Sequence, residues 1–154
     1  GKYRMRAYEQ TTNGNIHLAL SKGHWKKEET ILTRIQSSRI TNDILGMLTG
    51  SVHQSFDDIF NLINKEKKGA LLFINQEQNS ENLLARIQTL KKMQDEGKLD
   101  EIPPMKMDIK DFGIGAQILH DMGIKKLKVI SNSKQKPRIG ITGYGISIEE
   151  YKSY

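Results

Sequence analysis

Four histidines, the acidic pairs Asp57-Asp58 and Glu149-Glu150, the Gly-x-Gly at 113–115 and a lysine cluster carry most of the potential chemistry in this 154-residue chain. Imidazoles can ligate zinc, but no two of His17, His24, His53 and His120 stand at the i, i+4 or His-x-His spacing that converges on one ion. His17 alternates with the apolar Ile16, Leu18 and Leu20, which places it on the solvent side of a strand. His120 reads as a surface or second-layer position of a helix over 112–122. Asp57-Asp58 and Glu149-Glu150 could act as acid and base, yet paired acids near a helix start or a chain end are usually solvated charge. Gly113 and Gly115 open a helical segment, where backbone amides can meet an anion. A lone Gly-x-Gly more often serves close backbone packing. Lys125, Lys126, Lys128, Lys134 and Lys136 form a basic stretch, either a solvated face or an anion-binding loop. Trp25 reads as packing beneath a loop.

The elements that must position these groups show in the periodicity. Residues 2–8 alternate as a strand, with Tyr3, Met5 and Ala7 on one side and Arg4 and Arg6 on the other. Asn13-Gly14 tolerates positive φ and marks a hairpin. A returning strand through Leu20 and a third over 30–36 predict an antiparallel meander. Phe56, Ile59, Phe60 and Ile63 then fall at helical spacing, with Asp57 and Asp58 near the N-terminal end. Residues 70–74 form a short buried strand. Leu83, Leu84, Ile87 and Leu90 mark a second helix, and Pro103-Pro104 interrupts regular structure. Ile114, Ile118, Leu119 and Met122 line a third helix, stopped by Gly123 as a left-handed cap. Residues 127–130 are a strand, 131–138 a polar loop, and 140–148 glycine-rich and then β-like. The reading is a single α/β domain over 1–154, of mixed α+β character: an N-terminal antiparallel meander followed by alternating helices and strands.

Composition excludes several classes. A chain of this length buries about two thirds of its unfolded surface, enough for a core. Residues are 36% hydrophobic and 27% charged, and no apolar run approaches the roughly 20 needed to span a bilayer. The net charge of +6 suits anionic partners, but aromatics at 6% supply no stacking platform, which argues against nucleic acid. Cysteine is absent, so there are no disulfides, consistent with a cytoplasmic location. The start at Gly1, inside a strand-like run, suggests a domain of a longer protein.

Residues 108–123, from Asp108 through Phe112 to Gly123, closely resemble a signature of the GTP cyclohydrolase II family, enzymes that open the guanine ring at the start of riboflavin synthesis. The likeness runs in order along the chain. Residues 3–8 and 16–20 resemble the family's opening hairpin, and 32–37 its Arg-Val/Ile-His-Ser-Glu-Cys segment. Thr41 and Asp43 fit its Leu-Thr-Gly-Asp, residues 69–77 its Gly-Val-Leu-Leu-Tyr-x-Arg-Gln-Glu strand, and 143–145 its Gly-Tyr-Gly. The resemblance implies a GTP cyclohydrolase II-like fold, a homodimer, and frequent fusion behind a 3,4-dihydroxy-2-butanone 4-phosphate synthase domain. It assigns acid–base work and attack at the α-phosphate to an Asp-x-Arg, which here is Asp108 and Lys110. It also leaves Arg34, Ser37, Glu77, Ser131 and Lys136 as remnants of a GTP- or phosphate-binding pocket.

The departures fall on the chemistry. The family binds a catalytic zinc through three cysteines, and the corresponding residues are Arg39, Gly50 and Val52, so no metal site is expected; His53 is the one nearby histidine. Zinc needs about three protein ligands beside its water. Without it, nothing lowers a water's pKa from about 16 toward about 7 for attack on the ring. The family's Glu-Gly-Arg-x-Ile-Gly becomes residues 77–82, with Glu81 set against a triphosphate, and its following tyrosine becomes Leu90. Lys110 keeps a charge but not a planar guanidinium fork. The expectation is a catalytically inactive GTP cyclohydrolase II-like domain with a structural, dimerising or ligand-sensing role. The alternative is an active cyclohydrolase with an altered site, releasing formate and pyrophosphate from GTP. Retained nucleotide binding without turnover stands between them.

Overall fold

The structure is a computed structural model that describes residues 1–38, 51–75, 88, 91–93, 95–97, 109–132 and 143–154. Alternation in the first 22 residues produces a hairpin. Strands β1 (Arg4–Glu9) and β2 (Ile16–Lys22) pair antiparallel, with Arg4 opposite Ser21 and Glu9 opposite Ile16. Gly14 turns the chain at φ 73°, and its N–H donates to the Gln10 carbonyl at 2.8 Å. Asn13 supplies the other half of the turn, its Oδ1 accepting from the Asn15 N–H at 3.0 Å. The Asn13-Gly14 signal therefore acts as expected.

The third strand has different neighbours from those of a simple meander. β3 (Thr30–Ser38) leads into helix α1 (Ser51–Glu66), and the chain returns as β4 (Gly69–Asn75). β4 inserts between the hairpin and β3, antiparallel to β2 (Leu20 opposite Leu71) and parallel to β3 (Thr33 opposite Ala70). The sheet order is β1-β2-β4-β3-β5-β6. The reason lies in β4 itself. Ala70 to Leu72 and Ile74 are buried, and a strand apolar on both faces belongs in the middle of a sheet with helices on either side. β1 is exposed on both faces, with Met5 66% accessible, and takes the edge. Among the described residues the meander is the β1–β2 hairpin, and the mixed α/β class holds.

Helix α2 (Ile109–Asp121) precedes β5 (Lys126–Ile130), which runs parallel to β3, and β6 (Ser147–Lys152) lies parallel outside β5. The end of α2 follows from Gly123, at φ 71°. Its N–H donates to the His120 carbonyl at 3.0 Å, and the Ile124 N–H donates to the Leu119 carbonyl at 2.9 Å. Those two bonds make a Schellman cap, and its apolar pair, Leu119 and Ile124, is fully buried.

Two cores flank the sheet. On one face Ala19, Ile35, Leu72, Ile74, Leu127 and Val129 pack with Ala116, Leu119 and Met122 of α2. On the other, Leu32, Leu71 and Ile130 pack with Ile59 and Ile63 of α1. Gly69 starts β4 because a Cβ there would lie 2.9 Å from the Leu32 carbonyl oxygen and 3.0 Å from Ile63.

Two local readings change. α1 begins at Ser51, so Asp57 and Asp58 lie in its second turn and the first turn holds no acid. Gly113 and Gly115 lie inside α2, where their amides belong to the helical ladder and are not free for an anion. Gly115 does serve packing: a Cβ there would touch Ile35 at 3.4 Å, while Gly113 faces open space. Residues 88, 91–93 and 95 are helical within the predicted second helix. The remainder of that helix, Pro103-Pro104 and most of the 131–138 loop lie outside the described residues.

Candidate functional site

Parallel strands β3, β4 and β5 end on one edge of the sheet, where open α/β sheets place their ligands. α2 runs back over them. Its Gly115 packs on Ile35 late in β3, and its last carbonyls lie by Trp25, before β3, whose Nε1 donates to the Met122 oxygen at 3.0 Å. The N-terminus of α2, with Lys110 in its first turn, therefore points toward the C-terminal ends of the strands.

Ser37 sits at the end of β3 on the α2 face, in register with Ile74, and is buried. Its Oγ has no hydrogen-bond partner among the described residues. Ser131 follows β5 on the same face, also buried, with its N–H donating to the Lys152 carbonyl at 2.8 Å. These two predicted pocket residues thus share one face and one edge.

Arg34 does not join them. Side chains alternate along a strand, so residues 34 and 37 face opposite sides of the sheet. Arg34 lies with the α1 core. Its Nη1 donates to the Ile130 carbonyl at 3.0 Å, its Nη2 and Nε reach Gln36 Oε1 at 2.8 and 3.2 Å, and the guanidinium stacks 5.3 Å from the Tyr154 ring. Those contacts clamp β3 to β5 and to the C-terminal residues. Asp108, Glu77, Lys136, Arg39 and Gly50 lie outside the described residues, as do the side chains of Lys110, Val52 and His53.

His17 was expected to face solvent, and that expectation is wrong. It is 1% exposed, on the α2 face at the same edge. β2 packs on both faces, Ala19 in the α2-face core and Leu20 against the α1-face core, and the side carrying His17, Ala19 and Ser21 is the more deeply buried. The imidazole is held at both nitrogens. Nδ1 accepts the Asn75 N–H at 3.0 Å, which puts the ring proton on Nε2, 3.3 Å from Gln10 Oε1. Burial pushes its pKa below the usual histidine value. His17 therefore fixes the last residue of β4, Asn75. Alternation with apolar neighbours is the sequence signal, and it is compatible with either side of the strand being the buried one.

Other predicted groups are placed simply. His120 is exposed on α2, as expected. Trp25, read as packing beneath a loop, packs partly buried against the α2-face core. Lys126 pairs with Glu28 at 3.4 Å and Lys128 with Glu150 at 3.0 Å, which makes this part of the basic stretch a structural face. Tyr144, in the Gly143–Gly145 turn, accepts from Gln117 Nε2 at 3.1 Å, tying the turn to α2. No described helix is long and apolar enough to cross a membrane.

A cysteine-held zinc ion does not fit this chain's residues. The guanidinium at 39, the hydrogen at 50 and the isopropyl group at 52 are not donors, and no thiolate exists anywhere in the chain. Among the described residues no three His, Asp or Glu side chains converge on a common point.

Comparison with known proteins explains the arrangement. The family model described as GTP cyclohydrolase II matches residues 1–153. The chain is 37% identical to the riboflavin biosynthesis protein RibBA of Cytophaga hutchinsonii, over 97% of this chain and 38% of that protein. The RibBA of Porphyromonas gingivalis shows 37% identity with the same coverages, and that of Aquifex aeolicus 29%. The chain thus spans less than two fifths of the length of these curated relatives. On the full-length family match and this order of strands and helices, the chain belongs to the GTP cyclohydrolase II family.

Proposed function

We propose that this chain is a domain of a cytoplasmic riboflavin biosynthesis protein that has kept the GTP cyclohydrolase II frame without its ring-opening reaction. Residues 1–154 form one domain. It stands beside a 3,4-dihydroxy-2-butanone 4-phosphate synthase domain as a structural, dimerising or ligand-sensing unit. The observation that carries the reading is the donor set: Arg39, Gly50 and Val52 offer no ligand where the family holds zinc. Arg34 supports it, since its guanidinium already serves the Ile130 carbonyl, Gln36 and Tyr154. Asp108 and Lys110, at the family's catalytic positions, then lack an activated water to work with. Metal analysis and GTP turnover with and without added zinc test this. The expected result is no bound zinc and no formate, and formate release would refute it.

A second reading, nucleotide or phosphate binding without turnover, draws on one specific observation. The buried Ser37 Oγ, unpartnered among the described residues, lies on the same face and edge as Ser131. Such a hydroxyl normally finds a partner, and a ligand oxygen would supply one. Glu77 and Lys136 are the further binding residues of this reading. In the same experiment, calorimetric titration with GTP and inorganic phosphate should show heat that Lys136→Ala reduces. Silence at millimolar ligand excludes retained binding.

A further inference from the structure

At the opposite end of α2 from Ser37 lies a cavity of about 370 Å³ that none of the residues discussed for the nucleotide explains. Its lining includes Lys2, Arg4, Arg6, Lys22, His24 and Trp25, and among the described residues no carboxylate lines it. The volume lies within the range of small-molecule sites, about 300–1,000 Å³.

The walls are fixed before any ligand arrives. Trp25 is anchored by its Nε1 bond to the Met122 carbonyl. The loop leading to it turns at Gly23, with φ 79°, where a Cβ would stand 2.6 Å from the Lys67 carbonyl oxygen. Arg6 reaches Asp121 Oδ2 at 3.4 Å, and Tyr8 donates to the same oxygen at 2.8 Å, so this face of β1 is docked over the end of α2. Lys22 Nζ donates to Asn64 Oδ1 at 2.6 Å and lies 5.5 Å from the Tyr3 ring centre.

The charge is not balanced. Asp121 offsets Arg6, but Asn64 and Tyr3 are neutral partners for Lys22. Among the described residues no carboxylate stands within ion-pair distance of Lys2, Arg4 or Lys22. Arg4 and Arg6 share one face of β1, about 6.7 Å apart along the strand. Like charges gathered in a concave, preformed site raise the local concentration of an anion. A guanidinium beside ammonium groups suits the several oxygens of a phosphate. We propose that this cavity binds the phosphate group of a small molecule, a phosphate ester or free phosphate.

Trp25 is the single tryptophan of the chain and sits in the cavity wall, so its fluorescence reads this site. Titration with inorganic pyrophosphate, against potassium chloride of equal ionic strength, should change its emission saturably. Arg4→Gln and Arg4→Glu should weaken that response about ten-fold or more. Arg4 is exposed at the sheet edge, so both variants should fold, which circular dichroism verifies. Lys152→Glu makes the same charge change as Arg4→Glu on the strand at the other edge and should leave the response intact. Parallel titrations separate the sources: a tighter response to ribose 5-phosphate assigns the site to a phosphate ester, a tighter one to orthophosphate assigns it to the free ion. No change at millimolar pyrophosphate overturns the proposal. So does a response that folded Arg4 variants leave untouched, or one that Lys152→Glu weakens as much as Arg4→Glu does.

Discussion

Replacing Leu72 with alanine is expected to destabilise the protein by about 2–5 kcal/mol, the largest single effect among the substitutions considered. Leu72 has no accessible surface and lies on the α2 face of β4, in register with Ile35. Ile35 in turn receives Gly115 of α2. Truncation would leave a cavity beneath the helix, and β4 is paired on both sides, so the sheet cannot easily collapse to fill it. For a domain of this size the melting temperature should fall by roughly 4–20 °C. Met5→Ala is the comparison, with an expected change within about 0.5 kcal/mol, because Met5 lies open on the edge strand. Denaturant titration of both variants checks the pair. Equal losses would mean that β4 is not the centre of the sheet.

Acid should destabilise the fold through His17. Its folded-state pKa is lowered by burial, and its Nδ1 is already an acceptor for the Asn75 N–H. The unfolded chain therefore binds the proton first. Stability is full above the unfolded-state value of about 6.5 and declines as the pH falls below it, until the depressed folded-state value is reached. Within that window the loss is up to about 1.4 kcal/mol per pH unit. Glu29, whose carboxylate is favoured by Lys68 and the Lys26 amide, contributes in a separate window below the usual glutamate value. Unfolding measured between about pH 7.5 and 5.5 isolates the histidine. His17→Asn keeps an acceptor near the Nδ1 position and cannot titrate, so its stability should vary less over this range. An unchanged slope in that variant would assign the acid sensitivity elsewhere. Protonation also matters to the candidate site, because it removes the acceptor that holds Asn75 where β4 ends.

Much of the local structure was legible because it depends on few neighbours. Gly14 and Gly123 mark their turns by requiring positive φ, and both the hairpin and the cap form there. Phe56, Ile59, Phe60 and Ile63 announce α1 because one helix face must be apolar wherever it docks. The separation of Arg34 from Ser37 was also in principle readable, since three residues along a strand reverse the face. The resemblance places both in one pocket, whereas strand parity sets them on opposite faces. His17 was harder. Its alternation says that it opposes Leu18 and Leu20 but not which side the helix covers, and Leu18 and Leu20 lie on the less deeply buried face.

The sequence by itself determined the family, the hairpin, the two long helices and the strands up to β5, and the chemical fact that no cysteine can hold zinc, whereas the last strand lies at Ser147–Lys152, running beyond the 140–148 reading. These are properties of residue identity and of spacing along a few turns. Only the tertiary structure decided that β4 separates β2 from β3, that His17 is buried, that Ser37 and Ser131 share an edge while Arg34 clamps the far face, and that basic residues of β1 meet the end of α2. Each of these depends on which surfaces are pressed together over long separations in the chain. Hydrophobic burial is non-directional, so periodicity shows that a face must be covered without naming what covers it.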